Sequence, residues 1–292
     1  MSGVPTNRTD ITLPADVSAE ILQKTQEESA VMRLARRIEL PGRGASIPVI
    51  SADPEAAWVG ETGNKVVSNP TLGTKLMSAY KLAVIVPFSN EFRRDCAALY
   101  DALVQRLPLA LAAKFDATVI GAVNKPGTNF DNFAACQKQE IGTAAYAGLV
   151  AADQDIAENG GILNGFALAP QGKGALLAAT DETGRPLFIN SVADGAIPQI
   201  LGAPVYINKG CYDAAEDVVG IAGDWTQAMY GTVEGVKIDY SADATLVAGE
   251  SGAETTISLF QQNMFAVRAE IELGFRADTD CFNLLTSTAV SE

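Results

Sequence analysis

The longest run of strict alternation in the chain lies over residues 235–275. Val236, Ile238, Tyr240, Ala242, Ala244 and Leu246 fall on one side, and Lys237, Asp239, Ser241, Asp243 and Thr245 on the other. After a polar stretch at 248–255 the alternation resumes. Phe265, Val267, Ala269, Ile271, Leu273 and Phe275 stand against Ala266, Arg268, Glu270, Glu272, Gly274 and Arg276. A repeat of two puts successive side chains on opposite faces of a sheet, one buried and one polar. The pattern predicts a hairpin whose arms exceed the usual ~5–6 residues. Arms this long outrun an ordinary compact core and suggest a chain that meets neighbours.

Residues 1–15 hold Gly3, Pro5, Asn7, Asp10 and Pro14, which predicts an extended arm. Residues 16–37 read as a helix capped by Asp16 or Ser18, with Ile21, Leu22, Val31 and Leu34 on its apolar face. Arg33, Arg36 and Arg37 then fall in its last turns, where they complement the helix dipole or reach a partner. After the turn Pro41-Gly42-Arg43-Gly44, residues 46–51 read as a strand. A polar excursion over 52–70 carries Trp58, Glu61 and Lys65. A long strand over 72–88 follows, with Leu72, Thr74, Leu76, Ser78, Tyr80, Leu82, Val84, Val86 and Phe88 on one face. Two strands with so large a tip form a projecting hairpin, and long loops of this kind usually serve function or interaction. Trp58 there fits a contact on another subunit, the alternative being a ring folded back on its own domain. Ser89 is placed to cap a short helix with Glu91 in its first turn.

Over 97–123, Leu99, Leu103, Leu107, Leu111, Phe115, Val119 and Val123 recur every four residues. At about 100° per residue, steps of four drift by roughly 40°, so the stripe winds around the helix. That predicts a spine packed against different elements in turn, bent at Pro108. A second helix over 143–159 stops at Gly160-Gly161. Short pieces follow: strands at 166–169, 204–207 and 218–222 and a helix at 174–179. Residues 141–225 therefore read as a second domain inserted into the first, and the whole as an α+β fold.

Composition narrows the function. With 292 residues, 48% hydrophobic and 19% charged, the chain is long and apolar enough for one large or two ordinary domains. Its net charge of −14 is uneven. Residues 1–138 hold 15 basic against 14 acidic side chains, and residues 139–292 hold 6 against 21. Tight nucleic-acid binding needs clustered Lys and Arg, which this balance lacks. The chain has no His, the commonest general base and metal ligand. Cys96, Cys136, Cys211 and Cys281 are widely separated, so buried thiols in a reducing compartment are expected rather than a zinc site. Residues 1–10 are polar, unlike a secretory signal, and no apolar run nears the ~18 residues of a membrane span. Gly172-Lys173-Gly174 places glycine where a phosphate-binding loop needs a hydroxyl. Asp153 and Asp155 face different ways on a helix, and Asp278 and Asp280 read as a solvated turn. Without His a Ser-His-Asp triad is impossible. No catalytic residue, cofactor or metal is expected, which argues against an enzyme with an α/β insertion.

Several stretches together resemble the major capsid proteins of tailed bacteriophages of the Hong Kong 97 type. They are Ser29-Ala30-Val31-Met32-Arg33-Leu34-Ala35, Ile47-Pro48-Val49, Ala57-Trp58-Val59-Gly60-Glu61 with Lys65, and Lys81-Leu82-Ala83-Val84-Ile85-Val86-Pro87-Phe88-Ser89 with Glu91. Further along come Gly202-Ala203-Pro204-Val205, Gly223-Asp224-Trp225, the run from Phe260-Gln261-Gln262-Asn263 to Ala269, and the closing 277–285 with Phe282. The resemblance covers most of the chain from about residue 16, and it is the order and spacing of the motifs that is specific. It implies an N-terminal arm and helix over 1–44, an extended loop over 45–88, a peripheral domain over 89–140 and 226–292, and an axial domain over 141–225. It further implies hexamers and pentamers that close an icosahedral head around double-stranded DNA without specific binding. The subunit would assemble in the host bacterial cytoplasm, with separate scaffold, portal and decoration proteins as partners and no membrane. Trp58, Glu61, Lys65, Arg268, Glu270 and Glu272 are the candidate intersubunit contacts. The runner-up is a bacterial encapsulin, a cargo-holding nanocompartment, which the Trp58–Lys65 motif resembles less. Two departures stand out. A long cleaved N-terminal scaffold segment is not expected, because Met1 lies about fifteen residues before the first matching helix. The hairpin tip over 248–255 holds Glu250, Ser251 and Glu254 but no Asn, so no lysine–asparagine cross-link is expected.

Overall fold

A computed structural model describes residues 15–42, 44–50, 58–59, 72–90, 96–180, 185, 187–188, 199–248 and 255–288. The first half runs α1 (Ala15–Glu28), α2 (Ala30–Leu34), β1 (Arg36–Glu39), β2 (Ala45–Ile50), β3 (Leu72–Met77), β4 (Tyr80–Ser89), α3 (Cys96–Ile120), β5 (Gln137–Glu140) and α4 (Ala145–Glu158). The second half runs β6 (Gly165–Leu168), α5 (Pro170–Ala178), β7 (Gln199–Ile200), β8 (Ala203–Ile207), β9 (Val218–Gly223), β10 (Ala228–Thr232), β11 (Lys237–Ser241), β12 (Thr245–Ala248), β13 (Thr255–Ser258), β14 (Met264–Ala277) and β15 (Phe282–Thr286).

β14 is the axis of a five-stranded sheet. One edge pairs with β4, from Met264 opposite Ser89 to Leu273 opposite Tyr80. The other edge pairs first with β10 and then with β11, both antiparallel, and β1 lies parallel to β10 beyond it. The predicted inward residues Phe265, Val267, Ala269, Ile271, Leu273 and Phe275 are all buried. Each such side chain contributes roughly 1.5–3 kcal/mol of burial. The hairpin itself differs from the sequence expectation. Its first arm begins at β10 and breaks after Ser241, and β12 pairs only with β13 in a separate two-stranded sheet. The alternation runs on through Ala242–Leu246, but pairing with β14 stops at Ser241↔Ala266. The tip at 249–254 lies outside the described residues.

α3 is the predicted spine. Leu107, Leu111, Phe115 and Val119 are buried, and the helix meets α1, β4 and a short turn at Lys209–Cys211 along its length. Pro108 lies inside it. A six-stranded sheet in the order β5-β15-β9-β6-β8-β7 packs on α4 and α5 around Ile141, Leu149, Ile156, Phe166, Leu168 and Leu176. This sheet takes in strands from beyond the expected inserted unit. β5 and β15 come from outside 141–225, and β15 sits between β5 and β9. Phe133, Trp225, Phe275 and Phe282 join the two sheets with ring centroids 4.4–6.2 Å apart, edge to face except for Phe133 and Phe282, which are tilted at 32°.

Three further corrections are local. The helix expected over 16–37 is broken at Ser29, and Arg36 and Arg37 lie on β1 rather than in a last turn. The strand expected over 72–88 is broken at Ser78-Ala79, which reverses the face of β3: Met77 is buried and Leu76 exposed. α5 starts at Pro170, not Gly174, because proline suits the first helical position. The Glu91 helix start falls outside the described residues.

Candidate assembly surfaces

The outward face of β14 carries charge in cross-strand pairs. Arg268 sits opposite Asp239 and Glu272 opposite Lys81. The Arg268 guanidinium reaches Asp239 at 2.6 Å and Glu270 at 3.1 Å, and Lys81 reaches Glu272 at 3.6 Å. Arg268, Glu270 and Glu272 are thus brought together on one face. Such exposed pairs are each worth about 0–1 kcal/mol, so they tune a surface rather than hold the sheet. Trp58 is not part of this group. It is fully exposed on the β2–β3 connection, and Glu61 and Lys65 lie outside the described residues.

The root of the β2–β3 hairpin is fastened firmly. Gly231 on β10 stands opposite Gly274 on β14. A Cβ on Gly231 would strike the Leu40 side chain, and one on Gly274 would come within 2.8 Å of Met77 Cγ. The two glycines therefore leave a slot in the sheet face that Leu40 and Met77 fill, joined by Ile47 in a small cluster. Beside the slot, Arg276 donates from Nη2 and Nε to the Leu76 carbonyl at 2.5 and 2.9 Å and from Nη1 to Asp131 at 2.6 Å. Lys75 Nζ donates to the Ala277 carbonyl at 3.3 Å. The sheet thus holds the base of the β2–β3 hairpin, and Trp58, between those two strands in sequence, is fully exposed.

A second fastening joins the N-terminal helices to the spine. At the break between α1 and α2, Ser29 Oγ accepts from Met32 N at 3.0 Å and donates to Asp116 on α3 at 2.5 Å. Asp116 also accepts from Ala30 N at 2.9 Å and Val31 N at 3.4 Å. These are the donors that a helix start leaves unpaired. Asp116 is fully buried, and that burial raises its pKa from 3.8 to about 7 against the opposing effect of the three bonds. Arg33 stacks over the Tyr206 ring at 4.2 Å, tying α2 to β8. Sequence reasoning missed Asp116, Arg276 and the glycine pair. The signal for Asp116 was an acid between Phe115 and Ala117 in an apolar helix.

Cys136, Cys211 and Cys281 are free thiols. Burial pushes the Cys136 thiol up to about 12 and Cys211 well above its usual value, so both are unreactive as nucleophiles. Among the described residues no group of three His, Cys, Asp or Glu side chains could hold a metal, and no helix is long and apolar enough to cross a membrane.

A sequence model described as the phage capsid family matches residues 9–279. The chain belongs to the phage capsid family. It is a capsid protein, a structural subunit of a tailed-phage head shell. The probable major capsid protein gp17 of Mycobacterium phage L5 is 28% identical over 96% of this capsid chain and 90% of its own length. The major capsid protein of Staphylococcus phage 80alpha is 25% identical, over 93% and 83%. Among solved structures, a chain of Microbacterium phage Oxtober96 superposes with a TM-score of 0.70 at 22% identity, covering 89% of this chain and 91% of that one. That likeness is one of fold. The encapsulin alternative is not favoured by this phage capsid match.

Proposed function

We propose that this capsid protein is the major head subunit of a tailed phage with the Hong Kong 97-like fold. Copies associate as hexamers and pentamers that close an icosahedral shell around double-stranded DNA. One observation carries the reading: the β2–β3 hairpin is locked to β14 at its root, while the tryptophan beyond its strands is left wholly to solvent. A large aromatic side chain is the commonest anchor of a protein interface, and leaving one uncovered on a fastened arm is costly unless a neighbour covers it.

In this reading residues 1–44 form the arm and helix, 45–88 the extended loop, and the five-stranded sheet with α3 the peripheral domain. The axial domain is 141–225, completed by β5 and β15. Trp58, Glu61 and Lys65 on the loop and Arg268, Glu270 and Glu272 on β14 contact neighbouring subunits. The net charge of −14 supports a wall that contains DNA without gripping it, since binding would require clustered cations. The subunit is non-enzymatic and ends in the virion after assembly in the bacterial cytoplasm, alongside separate scaffold, portal and decoration proteins. Electron microscopy of the purified recombinant chain tests the proposal. Closed shells or ring-shaped capsomers are expected, and a chain that stays monomeric at high concentration would overturn it.

A further inference from the structure

Between α3 and β4 the surface opens into a pocket of about 180 Å³. Its floor is apolar: Phe115, Phe130 and Leu273 are buried there, with Tyr80 and Leu82 half-buried at the sides. Phe115 and Phe130 meet edge to face at 6.4 Å, and Tyr80 and Phe130 at 6.2 Å. Its rim is basic, formed by the exposed Lys81 and Lys114. An apolar cavity of about 150 Å³ accepts a benzene ring, so this one has room for most of an indole.

We propose that Trp58 of one subunit inserts its ring into this pocket on a neighbouring copy of the same chain. The inference rests on the shell reading and names the surface that receives the arm. Three observations carry it. Trp58 is fully exposed, so its own chain supplies no cover. The pocket is lined by aromatic edges, the geometry in which rings pack best. The charges match: the sequence around Trp58 carries Asp53, Glu55 and Glu61 against Lys65, and the pocket rim carries Lys81 and Lys114. Acidic residues flanking Trp58 in sequence and lysines around the pocket favour their mutual approach. Lys81 is also the partner of Glu272, so the rim joins the charged face of β14.

The test uses the full-length chain. Wild-type particles come first: if no shells or capsomers form, it is the shell reading that fails. If they form, Trp58→Cys combined with Lys114→Cys is assembled and oxidised. Covalent dimers and higher multimers are expected on a denaturing gel, and neither single variant should give them. Monomer bands alone from assembled double-variant particles would overturn the docking while leaving the shell reading intact. Trp58→Ala should raise the concentration needed for assembly about tenfold or more, the factor of an interface hot spot. Should the cysteine variants fail to assemble, acrylamide quenching of wild-type particles decides. The chain has two tryptophans and Trp225 is buried in the subunit, so the accessible emission of dissociated subunits is that of Trp58. Its protection on assembly is the expected result, and undiminished quenching in intact shells would overturn the proposal.

Discussion

Asp116 makes the stability of this subunit depend on pH in a direction opposite to that of most carboxylates. In the unfolded chain its carboxyl titrates near 3.8, and in the folded chain near 7. Below pH ~4 both states hold the proton. Between about 4 and 7 only the folded state does, so unfolding releases a proton and each rise in pH favours the unfolded chain. The stabilising contribution is complete below the unfolded pKa and is lost as pH rises through the folded one. At ~1.36 kcal/mol per pH unit, a window about three units wide amounts to roughly 4 kcal/mol. That is a large share of the ~5–15 kcal/mol of a typical domain. The perturbation is Asp116→Asn, which keeps an acceptor oxygen and abolishes the ionisation. Urea unfolding of dilute, unassembled subunits from pH 4 to 8.5, followed by circular dichroism, gives the stability of each. Other carboxylates contribute equally to both proteins, so the difference isolates Asp116. Wild type should lose several kcal/mol relative to Asp116→Asn between pH 4 and 7 and run parallel to it above 7.5. Parallel curves over the whole range would refute the reasoning.

Two further outcomes follow from the sheet. Ile271 is buried on β14 opposite Leu82, so Ile271→Asp removes about 1.5–3 kcal/mol of burial and adds several more for an unpaired buried acid; soluble folded subunits and particles should both be lost, Ile271→Val should cost only ~0.5–1.5 kcal/mol and keep them, and normal assembly of Ile271→Asp by electron microscopy would show that face to be misassigned. Gly274→Val fills the slot that Leu40 and Met77 occupy, so overpacking should cost ~1–3 kcal/mol or displace the β2–β3 root. Limited proteolysis should then cut faster near Met77, and an unchanged cleavage rate would deny the slot its anchoring role.

The strongest periodic signals in the sequence marked real elements. β14 alternates because one face packs into the core, where Phe275 meets Phe115 of α3, while the other carries Arg268, Glu270 and Glu272 beside the Gly274 slot; α3 carries its apolar residues every four because it touches several partners in turn. The breaks were harder to see. Nothing in the run Glu28-Ser29-Ala30 interrupts a helical apolar pattern; the break is stabilised by Asp116, which lies 87 residues from Ser29. β5 is Gln137-Lys138-Gln139-Glu140, with no apolar side chain to mark it, and exists because β15 pairs with it in parallel. β10 carries Gly231, a residue that normally weakens a strand and here admits Leu40. Among the candidate contacts, Arg268, Glu270 and Glu272 were legible from the polar face of β14. The fastening at Arg276 was not, because its main acceptor is a backbone carbonyl.

β14 and β15 fall between residues 264 and 286, and each follows every other strand of its own sheet in the sequence. During synthesis neither sheet can complete itself until residues 264–286 leave the ribosome. Folding of such long-range pairings is also slow. A nascent subunit therefore lacks the slot at Gly274, the Arg276 fastening and the charged face of β14 alike. Chain order acts as a timer: the surfaces this polypeptide would offer to other copies of itself form only after all the earlier strands of both sheets have been made.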